Sequence, residues 1–379
     1  MEIASGRGIG MGDPEYQVHP DIRQAHTLPA RIYRDPAIYE TFAERIFART
    51  WQFVADTDQV RVPGQIYPCT LLEGCLDEPV LLTRDARDVL HCLSNVCTHR
   101  GHLVAEHAGI ERVLRCRYHG RRFGLDGTFQ HMPEFEGVEG FPGPCEDLPR
   151  IPLGQWGKFL FVALKPAHSL QELIAPLQER LGWLPLEQFR FDPARSREFL
   201  IRANWALYVE NYLDGLHIPF VHQELAGSLD YSAYVTELYR YAVLQLGVAQ
   251  SGEDRFDLPV SSPDRGKHVA AYYYWLFPNT MFNFYPWGLS INVVRPVGVD
   301  RTRVLFLRYT WDAARIGSGI GDDAAVDRVE REDEVVVENV QRGIRSRYYH
   351  CGRYSPSRET GTHHFHRLLA EFGLEGAGA

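Results

Sequence analysis

The sequence predicts two domains of different class: a small all-β domain, and after it a larger α+β domain built of antiparallel sheet and helices. Three observations carry this. At 379 residues the chain exceeds what one hydrophobic core ordinarily organises. Residues 51–164 read as short β-type runs divided by turn signals at Pro63-Gly64, Asp126-Gly127 and Pro142-Gly143-Pro144. After Lys165-Pro166 the text changes to helical patterns, then to aromatic and β-branched strands, then to a long helix, an order that suits an α+β domain.

Taken in order, residues 1–50 form a polar lead-in and a helix over about 36–50, with Ile38, Phe42, Ile46 and Phe47 on one face that packs on the larger body. Residues 51–164 make the small β domain. Residues 165–379 make the larger one, with strands expected over 269–277, 280–285, 289–297 and 303–311 and a helix over 323–349. The chain holds no internal repeat and no low-complexity tract.

Composition narrows the function classes. With 45% hydrophobic, 12% aromatic and 23% charged residues, the chain is a folded globular protein. A formal net charge of −9 offers no electrostatic footprint for nucleic acid. The opening twenty residues lack the apolar core of a signal peptide, and FLFVAL at 159–164 is far too short to span a bilayer, so a cytoplasmic protein is expected. Seven unevenly spaced cysteines argue for thiols and metal ligation over a disulfide framework.

Two constellations carry chemistry. The first is Cys97-x-His99 in CTHRG and Cys116-x-x-His119 in CRYHG, each in a turn of the β-rich region. Two thiolates and two imidazoles in this order can hold a [2Fe–2S] cluster with cysteines on one iron and histidines on the other, a one-electron relay of raised potential. A structural zinc site is the alternative, although zinc fingers pair Cys with Cys and His with His along the chain. The other five cysteines, Cys92 included, read as core thiols.

This pattern resembles the Rieske family. The resemblance implies that Cys97 and Cys116 bind the inner iron and His99 and His119 the outer one. The chain departs from the frequent CPYHGW continuation by carrying Arg117 and Arg121, which leaves the ligands intact and alters charge and hydrogen bonding around the cluster.

The second constellation runs from Glu210 to His222. Asp214 and His217, three apart, are expected on one helical face. His217 and His222, five apart with Pro219 between them, need a helix break to meet. The string resembles the mononuclear-iron motif of Rieske oxygenases, Glu-Asn-x-x-Asp-x-x-His-x₄-His. An oxygen-activating Fe(II) site with two histidines wants one carboxylate and open positions. In the helix DDAAVDRVEREDEVVVENVQRGI, Val326, Val329, Val336, Val337, Val340 and Ile344 project near Asp333, which makes Asp333 the core-facing acid. Glu330, about 60° away, is the second candidate, Glu332 and Glu334 point about 100° to either side, and Asp327, Arg331 and Glu338 read as solvated. Asp333 could instead pair with an arginine or hydroxyl. The family places its third ligand comparably, upstream of a Gln, here Gln341.

Taken together, the chain is similar to the catalytic alpha subunit of Rieske non-heme iron oxygenases over nearly its whole length. Its tail, VQRGIRSRYYHCGRYSPSRETGTHHFHRL, looks most like the choline, glycine betaine and carnitine monooxygenase branch. The histidines at 363, 364 and 366 in that tail read as packing residues. The resemblance implies a helix-grip catalytic domain, Fe(II) held by His217, His222 and Asp333, and electrons from NAD(P)H through a flavin reductase or ferredoxin. It further implies a homotrimer in which Asp214 bridges an iron-ligand histidine to the neighbouring subunit's Rieske histidine. The implied activity is hydroxylation or oxidative demethylation of a small substrate; arene dioxygenation, or a Rieske electron carrier with a non-catalytic ligand-binding domain, are the alternatives. Tyr272, Tyr273, Tyr274, Trp275, Phe277, Phe282, Phe284, Tyr285 and Trp287 could supply a cation–π cage, an arene pocket or plain core.

Overall fold

The computed structural model describes residues 16–222, 227, 229–317, 321 and 323–374. The described chain divides into two compact units, Ala48–Leu170 and the remainder.

The smaller unit consists of short antiparallel sheets. One pairs Gln52–Asp56 with Phe159–Val162 and then Leu153–Trp156; a second orders Leu90–Ser94, Glu78–Arg84, Gln65–Leu71 and Gly109–Ile110; a third joins Leu114–Arg115, Arg122–Phe123 and Phe129–His131. Ile66, Leu81, Leu93, Val104, Leu114, Phe123, Leu125 and Leu148 form a core into which Cys97 and Cys116 are packed. Burial on this core stabilises the loops that carry the two cysteines, at roughly 25 cal/mol per Å² of apolar surface removed from water.

The larger unit is an eight-stranded antiparallel sheet. Its order is Arg190–Phe191, Arg301–Thr310, Gly288–Gly298, Thr280–Tyr285, Val269–Leu276, Ala242–Val248 and Val235–Leu238, with Arg197–Ile201 also paired to Arg301–Thr310. The four strands expected from the aromatic runs are present within one to two residues. Arg197–Ile201, Val235–Leu238 and Ala242–Val248 lie where the sequence was read as helical. Those runs are short, and Ala242–Val248 is buried at nearly every position, so it shows no alternation to read.

Trp205, fully buried, joins three helical segments. Its ring packs edge-on against Phe42 and Phe47 of the N-terminal segment and against Phe365 of the C-terminal helix Thr360–Leu369. The N-terminal helix is Pro36–Arg45, started by Asp35, whose side chain accepts the Ala37 amide, and followed by a separate 3₁₀ turn at Phe47–Arg49. The long helix spans Asp323–Gly343. It stops six residues earlier than its apolar pattern predicts, at a glycine, where tighter turns such as Ser346 N–H to Gly343 O take over. Among the described residues no helix is long and apolar enough to cross a membrane.

Candidate metal centres

In the smaller unit the two Cys/His loops are built alike. In each, a glycine four residues on donates its amide to the cysteine carbonyl: Gly101 to Cys97 and Gly120 to Cys116, both at 3.0 Å. Both glycines adopt positive φ, +73° and +77°, which closes a tight loop that a side chain would strain. This brings the His99 and His119 rings to 4.8 Å between centroids, nearly perpendicular. The Cys97 and Cys116 side chains lie within hydrogen-bonding reach, and burial raises the Cys97 thiol. His99 Nδ1 is buried with no hydrogen-bond partner. Two buried sulfurs beside an orphaned imidazole nitrogen are a donor set that wants a metal group, and a [2Fe–2S] cluster with mixed ligation fits it. Tyr118, half exposed, lies against His119, so this end of the site reaches the surface.

The larger unit holds a second set. The helix Trp205–Leu213, begun by Asn204 capping the Ala206 amide, ends at Asp214, which is extended (φ −91°, ψ 112°). Asp214 and His217 therefore do not share a helical face; the helix has already ended. Their side chains still approach, His217 Nδ1 to Asp214 Oδ2 at 3.4 Å. Nor does Pro219 break a helix. It sits in the first turn of the one-turn helix Ile218–Val221, where a missing amide costs nothing, and the two histidines flank that turn.

The Nε2 atoms of His217 and His222 stand 3.2 Å apart, and Asp333 Oδ1 lies 2.9 Å from His222 Nε2 and 3.6 Å from His217 Nε2. Three ligand atoms bound at about 2.1 Å to one ion, on one face of it, would be roughly 3 Å apart. The three atoms are thus already converged, and a single small divalent cation fits between them. Burial opposes a charge on His222, but the Asp333 and Glu332 carboxylates outweigh it and raise its pKa; a field that favours a proton there also favours a cation.

Glu330 is the most buried acid among the described residues of the long helix, at 3% exposure, while Asp333 is half-buried at the edge of the apolar face. The buried positions are Glu330, Val337, Gln341 and Ile344, and Val340 is exposed, so the core direction lies about 60° from where the valines place it. Glu330 does not join the histidines. Burial pushes its pKa well above the usual carboxylate range, and Tyr208 Oη donates to its Oε2 at 2.8 Å.

Residues outside the predicted set support the triad. Glu332 Oε2 lies 2.7 Å from His222 Nδ1, the acceptor that an Nδ1–H tautomer needs, which turns the Nε2 lone pair toward the shared centre. Asn211 Nδ2 donates to Asp333 Oδ1 at 2.9 Å. Asn211 was visible as part of the motif; Glu332 was not, because helical phase alone sets it aside. Of the three tail histidines, His363 Nε2 meets the His19 carbonyl at 2.8 Å, His366 lies 2.6 Å from Tyr354 Oη and 3.0 Å from Glu210 Oε1, and His364 is half-buried. Of the five remaining cysteines only Cys92 is buried; Cys145 and Cys351 are exposed, contrary to the core-thiol reading.

A cavity of about 230 Å³ opens beside the triad, walled by Tyr212, Tyr234, Tyr273 and Tyr285, with Gln245, Asn283 and Asn292. Burial holds these phenols protonated. Of the nine aromatics singled out in the sheet, only Tyr273 and Tyr285 reach this cavity; Tyr272, Tyr274, Trp275, Phe277, Phe282, Phe284 and Trp287 are core. Tyr212 and Tyr234 come from outside those strands.

Residues 182–373 match the family model for the ring hydroxylating alpha subunit catalytic domain, and residues 50–142 match that for the Rieske [2Fe-2S] domain. The chain belongs to the Rieske oxygenase alpha subunits. Among its relatives, choline monooxygenase of Beta vulgaris is 31% identical over 376 residues, covering 95% of this chain and 79% of that protein. The carnitine monooxygenase oxygenase subunit of Escherichia coli K12 is 29% identical over 364 residues, covering 92% and 94%. In fold, the chain is similar to the quaternary ammonium Rieske monooxygenase CntA with L-carnitine (TM-score 0.74, 24% identity, covering 94% and 97%). It is also similar to naphthalene 1,2-dioxygenase from Rhodococcus (TM-score 0.69, 18% identity, covering 92% and 94%). As a Rieske oxygenase the chain is an oxidoreductase that uses a Rieske [2Fe–2S] cluster and a mononuclear iron with O₂ to oxidise a small organic substrate.

Proposed function

We propose that this Rieske oxygenase is a monooxygenase of a small methylated amine, of the quaternary ammonium type. The observation that carries the reading is the cavity beside the triad. Five tyrosines line it, Tyr208 with Tyr212, Tyr234, Tyr273 and Tyr285, and its acids are Asp214, Glu330, Glu332 and Asp333 against one exposed guanidinium, Arg328. Aromatic faces with a negative surround attract an alkylammonium group, and the choline and carnitine monooxygenases among the relatives carry such substrates in their names.

On this reading Cys97, His99, Cys116 and His119 hold the cluster, and His217, His222 and Asp333 hold the iron. When bound, the two groups supply one-electron transfer and dioxygen activation. The chain's own residues do the rest. Glu332 fixes the tautomer of His222, Asn211 restrains Asp333, and Tyr208 donates to Glu330, whose carboxyl burial holds above the usual carboxylate range. Tyr212 Oη donates to Asn283 Oδ1 at 2.7 Å, which sets one wall of the substrate site. The phenols exclude bulk water from the reacting face.

Electrons come from NAD(P)H through a partner reductase or ferredoxin. The chain acts as a homotrimer in an aqueous, reducing cytoplasm, a setting that suits seven cysteines without a disulfide. Asp214 carries the electron path between subunits: its Oδ2 lies beside His217 Nδ1, and a carboxylate can accept from a second imidazole at once. The related CntA transfers electrons between its subunits. The test is O₂ uptake and product analysis with reconstituted enzyme and a panel of choline, betaines, carnitine and simple arenes. Substrate-dependent uptake with an amine is expected. Turnover of arenes alone would overturn the amine reading in favour of ring dioxygenation.

A further inference from the structure

Arg121 is one of the largest fully buried side chains among the described residues, at 2% exposure. It directly follows the second ligand loop; its carbonyl accepts the Cys116 amide at 2.9 Å. Its guanidinium is enclosed by aromatic faces, 4.7 Å from the Phe129 centroid, 5.5 Å from Phe123 and 5.8 Å from Phe141. One acid answers it. Glu146 offers both a carboxylate, in a short ion pair with Arg121 Nη2, and a backbone carbonyl 3.2 Å from the same nitrogen. That carbonyl also accepts Thr98 Oγ1 at 2.8 Å, and Thr98 stands between Cys97 and His99. A single carbonyl therefore ties the first ligand loop, through Thr98, to the second, through Arg121.

The charge is only partly cancelled. The Glu146 side chain is 21% exposed while Arg121 is 2% exposed, so water screens the anion more than the cation. Arg121 Nε is buried and finds no acceptor. The residual positive charge sits against both ligand loops, next to Cys116 through the Arg121 carbonyl and next to Thr98 through the shared Glu146 carbonyl, so its field acts on the cluster site. A reduced cluster carries one more negative charge than an oxidised one, and a nearby buried cation favours the reduced form.

We propose that the Arg121–Glu146 pair sets the reduction potential of the Rieske cluster, with the caged guanidinium raising it and the Glu146 carboxylate trimming that effect. Arg121 is a positioning and electrostatic residue, not a ligand. This rests on the assignment of the cluster to Cys97, His99, Cys116 and His119.

The test is a redox titration of purified protein, followed by circular dichroism and EPR of the cluster, in wild type, Arg121→Gln, Arg121→Lys and Glu146→Gln. Arg121→Gln is expected to disfavour reduction by about tenfold, which for a one-electron couple is about 59 mV downward. Arg121→Lys, which keeps the charge, retains most of the wild-type potential, and Glu146→Gln shifts it upward. Iron and sulfide content certify an intact cluster. An unmoved potential in intact Arg121→Gln overturns the proposal. If that variant assembles no cluster, Glu146→Gln decides: an upward shift supports the proposal, and no shift or a downward one overturns it. Wild-type protein with no Rieske EPR signal would instead overturn the cluster assignment beneath it.

Discussion

Glu332 gives the sharpest test of how the mononuclear site is built. Glu332→Ala removes the acceptor facing His222 Nδ1, 2.7 Å away, and leaves His217, His222 and Asp333 in place. A hydrogen bond to a charged partner contributes roughly 1.5–3 kcal/mol when shielded. The Glu332 side chain is 36% exposed, whereas His222 is 2% exposed, so the acceptor is partly screened and the lower end applies. A loss of about 1.4 kcal/mol is expected, or about tenfold in metal affinity, within the range that outer partners of metal-bound histidines usually show. Glu332→Gln, which keeps an acceptor without the charge, should lose less. The assay is anaerobic titration of iron-depleted protein with Fe(II) or Co(II) against a competing chelator. Unchanged affinity in Glu332→Ala would refute the reasoning, as would a loss as large as that of Asp333→Ala.

Three further outcomes are expected. Cys97→Ser or His119→Ala should abolish the Rieske absorption and EPR signal while the larger unit keeps its thermal transition, since every cluster ligand belongs to Ala48–Leu170; a retained cluster spectrum contradicts the assignment. Asp214→Ala should assemble both metal sites and stay oligomeric yet lose most turnover, because electrons no longer cross to the iron. Single-turnover oxidation of pre-reduced cluster with substrate and O₂ measures that step, and an unchanged rate removes the bridging role. Asp85 accepts the Arg87 and Val89 amides at 2.8 and 3.0 Å and lies 3.0 Å from His91 Nε2. Burial alone would raise its pKa, but these partners outweigh burial and bring it from 3.8 to about 2. A folded pKa below the unfolded one stabilises above about pH 4 and is lost as pH falls toward 2. Asp85→Asn should therefore cost about 1–2 kcal/mol at neutral pH, read by denaturant unfolding, with the gap from wild type closing in acid; a gap that does not change with pH contradicts this.

Much of the site was legible because its ligands come in short, fixed spacings. The Cys-x-His and Cys-x-x-His loops, closed by Gly101 and Gly120, are local structures that sequence states outright. Strands with aromatic runs were legible for the same reason. Four parts were not. Ala242–Val248 is buried on both faces and shows no alternation. The Asp214–His217 approach depends on where the helix ends, at Leu213, and not on helical phase. The acids of Asp323–Gly343 depend on the helix's rotation against the sheet: the valines indicate an apolar face but not its centre, so Glu330 proved the deepest acid and Glu332 a partner of His222. The tyrosine cavity is assembled from distant segments, Tyr212 and Tyr234 with Tyr273 and Tyr285, and no local pattern announces such a meeting.

The central claim is that one chain holds a Rieske cluster and, separately, one iron on His217, His222 and Asp333. Iron and acid-labile sulfide analysis with EPR of dithionite-reduced protein, wild type beside Asp333→Asn, tests it most directly. About three iron and two sulfide per wild-type chain with a Rieske signal are expected, and in Asp333→Asn about two iron with the same signal and the same sulfide. Zinc with no sulfide in wild type, or iron unchanged in Asp333→Asn, would contradict it.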